Sequence, residues 1–128
     1  MPDTNIAIRS LENALDSAPQ MSSWRSLIAN RVQSLREAYL QEVERGPASE
    51  AFALDSTPWL YGRLQLLRRD QVRIVEELEQ LTRACMEAMD LETLRAHAAL
   101  ALQRITHVRQ RENDLIYESV DLDLGGEQ

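Results

Sequence analysis

The feature that most constrains this chain is an apolar seam in its middle third. Leu60, Leu64, Leu67, Ile74, Leu78, Leu81 and Cys85 follow one another in steps of four and three, with one doubled step. Such steps keep the side chains on one stripe of an α-helix that packs against neighbouring helices. The spacing predicts a long helix over 58–88. Thr57-Pro58 supplies its start, an N-cap residue followed by proline at the first helical position.

Three more segments share the helical period. The first covers 4–17, with Ile8, Leu11 and Leu15 on one face and Pro19 beyond its end. The second opens at Ser22 or Ser23 and carries Trp24, Leu27, Ile28, Val32, Leu35 and Tyr39; Gly46-Pro47 stops it. The last is capped by Asp90 and runs to about Val120, with Leu94, Ala98, Ala101, Leu102, Ile105, Val108, Leu115 and Ile116 on its face. Leu, Ala, Glu, Gln and Arg dominate, and Gly and Pro number only four each, which suits helices. The expected fold is all-α: an up-down-up-down four-helix bundle with a short N-terminal helix, forming a single domain over 1–128. The alternative is a three-helix bundle with a peripheral N-terminal helix. The linker over 46–57 contains Phe52 and Leu54 and is expected to pack down, with Trp59 against Phe52 or the N-terminal helix.

Charge and composition narrow the functions. A formal net charge of −7 opposes binding to nucleic acid or an anionic membrane. All 14 basic residues are Arg, from GC-rich codon usage or for bidentate anion contacts. The N-terminus carries no basic stretch followed by an apolar run, and no apolar stretch reaches the roughly 18 residues of a membrane span. Cys85 is the single cysteine and lies in the apolar seam, where it reads as a small core residue rather than a nucleophile. A cytoplasmic protein is expected.

The apolar stripes are interrupted at informative places. Gln71 fills the doubled step between Leu67 and Ile74, Glu112 the one between Val108 and Leu115, and Arg31 lies near the centre of the second helix's face. Counting from the turns at about 1.5 Å per residue puts all three in one layer of the bundle. A lone buried carboxylate costs several kcal/mol, about the scale that pairing must offset. A salt bridge from Glu112 to Arg31, with Gln71 bonded to one of them, is therefore expected. Such a layer serves either to fix helix register or to form a ligand site.

The stretch Glu112-Asn-Asp-Leu-Ile-Tyr resembles part of a hemerythrin-like helix, in which His-x-x-x-Glu precedes an apolar-aromatic pair. Glu112 would be the carboxylate, with Ile116 and Tyr117 as the pair. Val108 stands where that family has its His, and Gln71 where the preceding helix would offer another. With only two His in the chain, His97 and His107, the family's ligand set cannot be assembled. The resemblance implies a four-helix bundle that has lost its metal site.

Other chemistries find little purchase. Neither His has a Glu three residues before it, as a ferritin-like di-iron site requires, and there is no HExxH, phosphate loop or Cys-x-x-Cys. Asp121-x-Asp123-x-Gly125 hints at a calcium loop but lacks its closing Glu, so a helix end and solvated tail is the preferred reading. Arg63, Arg68, Arg69 and Arg73 read as a charged outer face or as a docking patch for an acidic partner. The sequence thus points to no catalytic residues, no metal and no cofactor. It points to a non-enzymatic bundle acting through protein–protein contacts, as a small regulator or a homodimer. The second reading is a hemerythrin-like metal or small-ligand binder using the layer of Arg31, Gln71 and Glu112.

Overall fold

A computed structural model describes residues 3–17, 23–45, 58–87 and 90–126, the side chains of 58, 59 and 119–126 excepted. Among the described residues are four helices and no strands: α1 (Thr4–Asp16), α2 (Trp24–Glu44), α3 (Pro58–Met86) and α4 (Leu91–Gly126). They form the expected four-helix bundle. The pairs α1–α2, α2–α3 and α3–α4 pack extensively, and α1 closes more sparsely on α4. Expectations for the linker over 46–57, for the stops at Pro19 and Gly46-Pro47, and for the Trp59 side chain lie outside the described residues.

The helix ends follow local chemistry. Asp3 caps α1, accepting from the Asn5 amide at 2.8 Å. Asp90 caps α4 as the sequence predicts, taking bonds from the amide and hydroxyl of Thr93 at 3.3 and 3.2 Å. Ser23 precedes α2 but makes no side-chain capping bond, because its backbone is already helical. At the other end α4 continues through Gly126, past the expected stop near Val120. No proline interrupts that stretch, and a glycine lowers helix stability by about 1 kcal/mol without ending the helix. Asp121, Asp123 and Gly125 thus stand on a helix, which overturns the calcium loop and the helix end before them.

One continuous core runs through the bundle. Leu11, Ile28, Val32, Leu35, Leu78, Leu94, Ala98 and Ile105 lie at its centre, and Leu60 is buried near the start of α3. Helix α1 contributes Ile8, Leu11, Ala14 and Leu15, so it is a full member rather than a peripheral helix. At the lower end Trp24, 2% exposed, donates from its indole nitrogen to the Ala14 carbonyl at 3.0 Å. Arg95 stacks over the Trp24 ring at 5.5 Å and donates to the Ser17 carbonyl. These contacts tie the ends of α1 and α2 to the start of α4.

The register of α3 against α4 is marked by a ladder of ion pairs. Arg63–Glu118, Asp70–Arg111 and Glu77–Arg104 step by one heptad down α3 and one heptad up α4. The Arg cluster noted in the sequence is thus partly consumed here, since Arg63 reaches across to α4 and Arg73 stands 4.0 Å from Asp70. The charge order on α3 is plus, minus, minus, and on α4 it is the complement. A heptad slip would set Arg63 against Arg111, so the ladder disfavours the neighbouring register as well as supporting this one.

Helices α1 and α2 are shorter than this hairpin. Arg109 marks where they stop: it grips Glu42 near the end of α2 with two bonds of 2.9 Å and Asn5 near the start of α1 at 2.6 Å. Beyond that level α3 and α4 continue alone among the described elements, α3 by about 18 Å.

Two outcomes test this description. Gly62 lies in exposed α3 with nothing within 4 Å of an added Cβ, so Gly62→Ala should raise stability by about 1 kcal/mol in urea titration. Asp70→Arg should lose roughly 0.5–1 kcal/mol, and adding Arg111→Asp should restore most of it. A double variant as unstable as the sum of the single ones would show that the pair is not formed.

Candidate functional site

The polar interruptions of the apolar stripes converge where four helices become two. Gln71 occupies the core-facing register of α3 between Leu67 and Ile74 and is 5% exposed. Its amide nitrogen donates to Glu112 Oε2 on α4 at 3.4 Å, the long end for such a bond. Gln71 and Glu112 therefore meet, as the sequence predicts.

Arg31 does not join them. Among the described residues no ion pair links Arg31 to Glu112, and Arg31 sits half-buried on the flank of α2. The reason is height. Arg36 lies 4.0 Å from Glu79, and Arg25 bonds the Glu87 carbonyl at 2.8 Å. Interpolating between them sets Arg31 beside Thr82 and Arg83, about 17 Å along the bundle from Gln71. The count from Gly46 and Pro58 had assumed that α2 ends and α3 begins at one level, whereas α3 begins well beyond the end of α2.

On the same interpolation the nearer polar group of α2 is Tyr39, which lies closer in height to Gln71 than Arg31 does. Its side chain is wholly buried and its hydroxyl has no hydrogen-bond partner. Burial pushes the Tyr39 phenol far above its ordinary range, and the Glu112 and Glu42 charges push it further. Burial likewise raises the Glu112 carboxyl, helped by Glu42 and opposed by Arg109, Arg68 and the Gln71 bond. Glu42 and Arg109 form their own fork–fork pair, half-buried on both sides. Sequence reasoning placed Tyr39 only in the core; the signal available was its phenol, a hydrogen-bonding group on a largely apolar stripe.

Hollows open on two sides of the bundle. One of about 340 Å3 opens between the start of α1 and the end of α2, lined by Asp3, Thr4, Asn5, Glu42, Arg45 and Arg109 among others. Three more follow one another along the outer face of α3 and α4. The largest, about 630 Å3, is lined by Asp70, Ile74, Glu77, Arg104, His107 and Val108 among others. A second of about 590 Å3 includes Leu81, Ala84, His97 and Leu100, and a third of about 100 Å3 includes Arg63, Leu66, Leu67 and Leu115.

The two histidines are exposed on this outer face, away from Glu112. Among the described residues no group of three or more His, Cys, Asp or Glu side chains is placed to hold a metal ion. Cys85 is buried, and burial raises its thiol above the usual range. The fold and site define an all-α four-helix bundle with a polar layer at the upper end of its four-helix section. Comparison with protein-family models, curated proteins and solved structures finds no match.

The raised Glu112 carboxyl has a pH signature. A carboxyl whose folded pKa exceeds its unfolded value stabilises the protein below the unfolded pKa, and that contribution is lost as pH rises through the folded pKa. Glu112→Gln should therefore melt above the parent at neutral pH. The gap should close as pH falls through the folded pKa of Glu112, followed by thermal denaturation at stepped pH. A gap independent of pH would show that Glu112 titrates as an ordinary surface carboxyl.

Proposed function

We propose that this chain is a non-enzymatic binding module, a small cytoplasmic regulator, that takes a protein partner or a second copy of itself along the outer face of α3 and α4. The observation that carries this reading is the row of three hollows on the one side of the hairpin that α1 and α2 leave open. Its floor is apolar, formed by the edges of Leu67, Ile74, Leu81, Val108 and Leu115, and Leu66 and Leu100 stand exposed beside it. From Arg63 to Ala84 the face is about 32 Å long, room for an amphipathic helix of some six turns. The rim alternates Arg with Glu and Asp, so partner choice would rest on charge order as well as on apolar fit.

A formal net charge of −7 makes a nucleic-acid partner unfavourable. Among the described residues no helix is long and apolar enough to cross a membrane. In this reading the resemblance of 112–117 to a hemerythrin-like helix is that of a bundle which has lost its metal.

The test places a photo-crosslinking amino acid at Leu66, at Leu100 and, as a control, at exposed Asn30 on α2. Crosslinks to a discrete protein or to a second copy are expected from Leu66 and Leu100 and not from Asn30. Equal labelling from all three positions, or none, would contradict the reading.

A further inference from the structure

The outer face of the α3–α4 hairpin carries its projections and its hollows at matched heights. The rungs Asp70–Arg111 and Glu77–Arg104 fix which positions of the two helices lie level. By that count Leu66 is level with Leu115 and Leu100 with Leu81, and each pair lines one of the hollows. Leu66 and Leu100 are 55% and 44% exposed, whereas Leu115 and Leu81 are buried. Each end of the face thus offers a projecting leucine and, at the same height on the facing helix, an apolar floor to receive one. The charges obey the same rule. At each rung α3 and α4 carry opposite signs at one height. Arg104 and Arg111 each bond through a single nitrogen, which leaves most of their donors for a second carboxylate. The hollows are lined by four arginines against three carboxylates, in a chain whose formal net charge is −7. A second acidic copy therefore meets no excess of like charge here.

We infer that the occupant of this face is a second copy of the chain, related by a two-fold axis that runs parallel to α3 and α4. The inference rests on the reading that the outer face is the docking surface, and it names the partner. Such an axis lays α3 of one copy on α4 of the other at the same height. Leu66 then meets the partner's Leu115 and Leu100 the partner's Leu81. Asp70 meets the partner's Arg111, and Glu77 the partner's Arg104. Every contact occurs twice, as a self-complementary interface requires. An axis running across the helices can seat the same leucines, Leu66 at the partner's Leu81 and Leu100 at the partner's Leu115. It also sets Asp70 against the partner's Glu77 and Arg111 against the partner's Arg104, like charge on like. The charge order therefore selects the parallel arrangement. A face about 32 Å long and two helix diameters, roughly 20 Å, wide covers about 600 Å2 per copy. That is roughly 1,200 Å2 in all, the lower end of the range for specific interfaces.

The test uses a charge exchange that leaves each chain's own ladder in place. Asp70→Arg with Arg111→Asp keeps that rung within the chain with its signs reversed, and two such copies still match each other. A parent copy and a double-variant copy do not, because carboxylate then faces carboxylate and guanidinium faces guanidinium. The whole chain, with the parent uniformly labelled with nitrogen-15, is followed by native mass spectrometry in ammonium acetate. Parent alone and double variant alone are each expected as dimers. Labelled and unlabelled parent should exchange to the statistical share of mixed dimer. Labelled parent with the double variant should give about a fifth of that share or less, since attractive exposed pairs have become repulsive. Raising the salt from about 0.1 M to about 1 M should bring the mixed dimer back towards the statistical share. Leu66→Glu, at an exposed position, should keep the parent's helical content by circular dichroism and weaken dimerisation about tenfold or more. A parent that stays monomeric at about 100 µM would overturn the inference; Leu66 and Leu100 crosslinks to a different protein would then leave the docking reading standing, and their loss would sink both. Free mixing of parent and double variant at low salt, or a dimer that Leu66→Glu leaves as tight as before, would also overturn it, because the contact would then have the other orientation or lie on another face.

Discussion

The antiparallel register of α3 against α4 is the constraint on which the rest of this molecule depends. An apolar seam of four-and-three steps brings the two helices together, but a seam of leucines alone tolerates a slip of one heptad. The ion pairs Arg63–Glu118, Asp70–Arg111 and Glu77–Arg104 make one register better than its neighbours. Each is exposed enough to contribute little by itself. Their value lies in the mismatch that a slip would create. The same register delivers Gln71 to Glu112, so the polar layer is a consequence of the hairpin's alignment.

The layer sits where the helix count changes. Below it, four helices shield an apolar core. Above it, α3 and α4 run on past Glu44 and Thr4. Arg109 closes the boundary by holding Glu42 and Asn5, and it acts on Glu112 through its charge without an ion pair. Burial raises both the Tyr39 phenol and the Glu112 carboxyl above their ordinary ranges.

Much of this was legible in the residues, and the failures have one cause. The long helices, the Asp90 cap and the meeting of Gln71 with Glu112 all follow from positions counted outward from one tight turn, where rise per residue suffices. The three ion pairs share that property, since Arg63, Asp70 and Glu77 carry charges complementary to Glu118, Arg111 and Arg104 at matching distances from the turn. Arg31 was misplaced because the span 46–57 between α2 and α3 sets no height, so counting across it carried no information. Tyr39 was hidden because a phenol on an apolar stripe satisfies the pattern of a core residue. The end of α4 was misjudged because the acidic run 118–124 breaks the apolar stripe but contains no proline or glycine to stop the helix.

The most direct check is a set of spin-label distances by double electron–electron resonance in a Cys85→Ala background. One label sits at Arg73 and the second, in turn, at Leu100, His107 or Asp114, all exposed positions. With Asp70 facing Arg111, the distance from 73 to 107 should be the shortest of the three, the other two lying about 10 Å further along the hairpin axis on either side. A minimum at 100 or at 114 would mean the hairpin is aligned one heptad away, and the Gln71–Glu112 layer would then not exist.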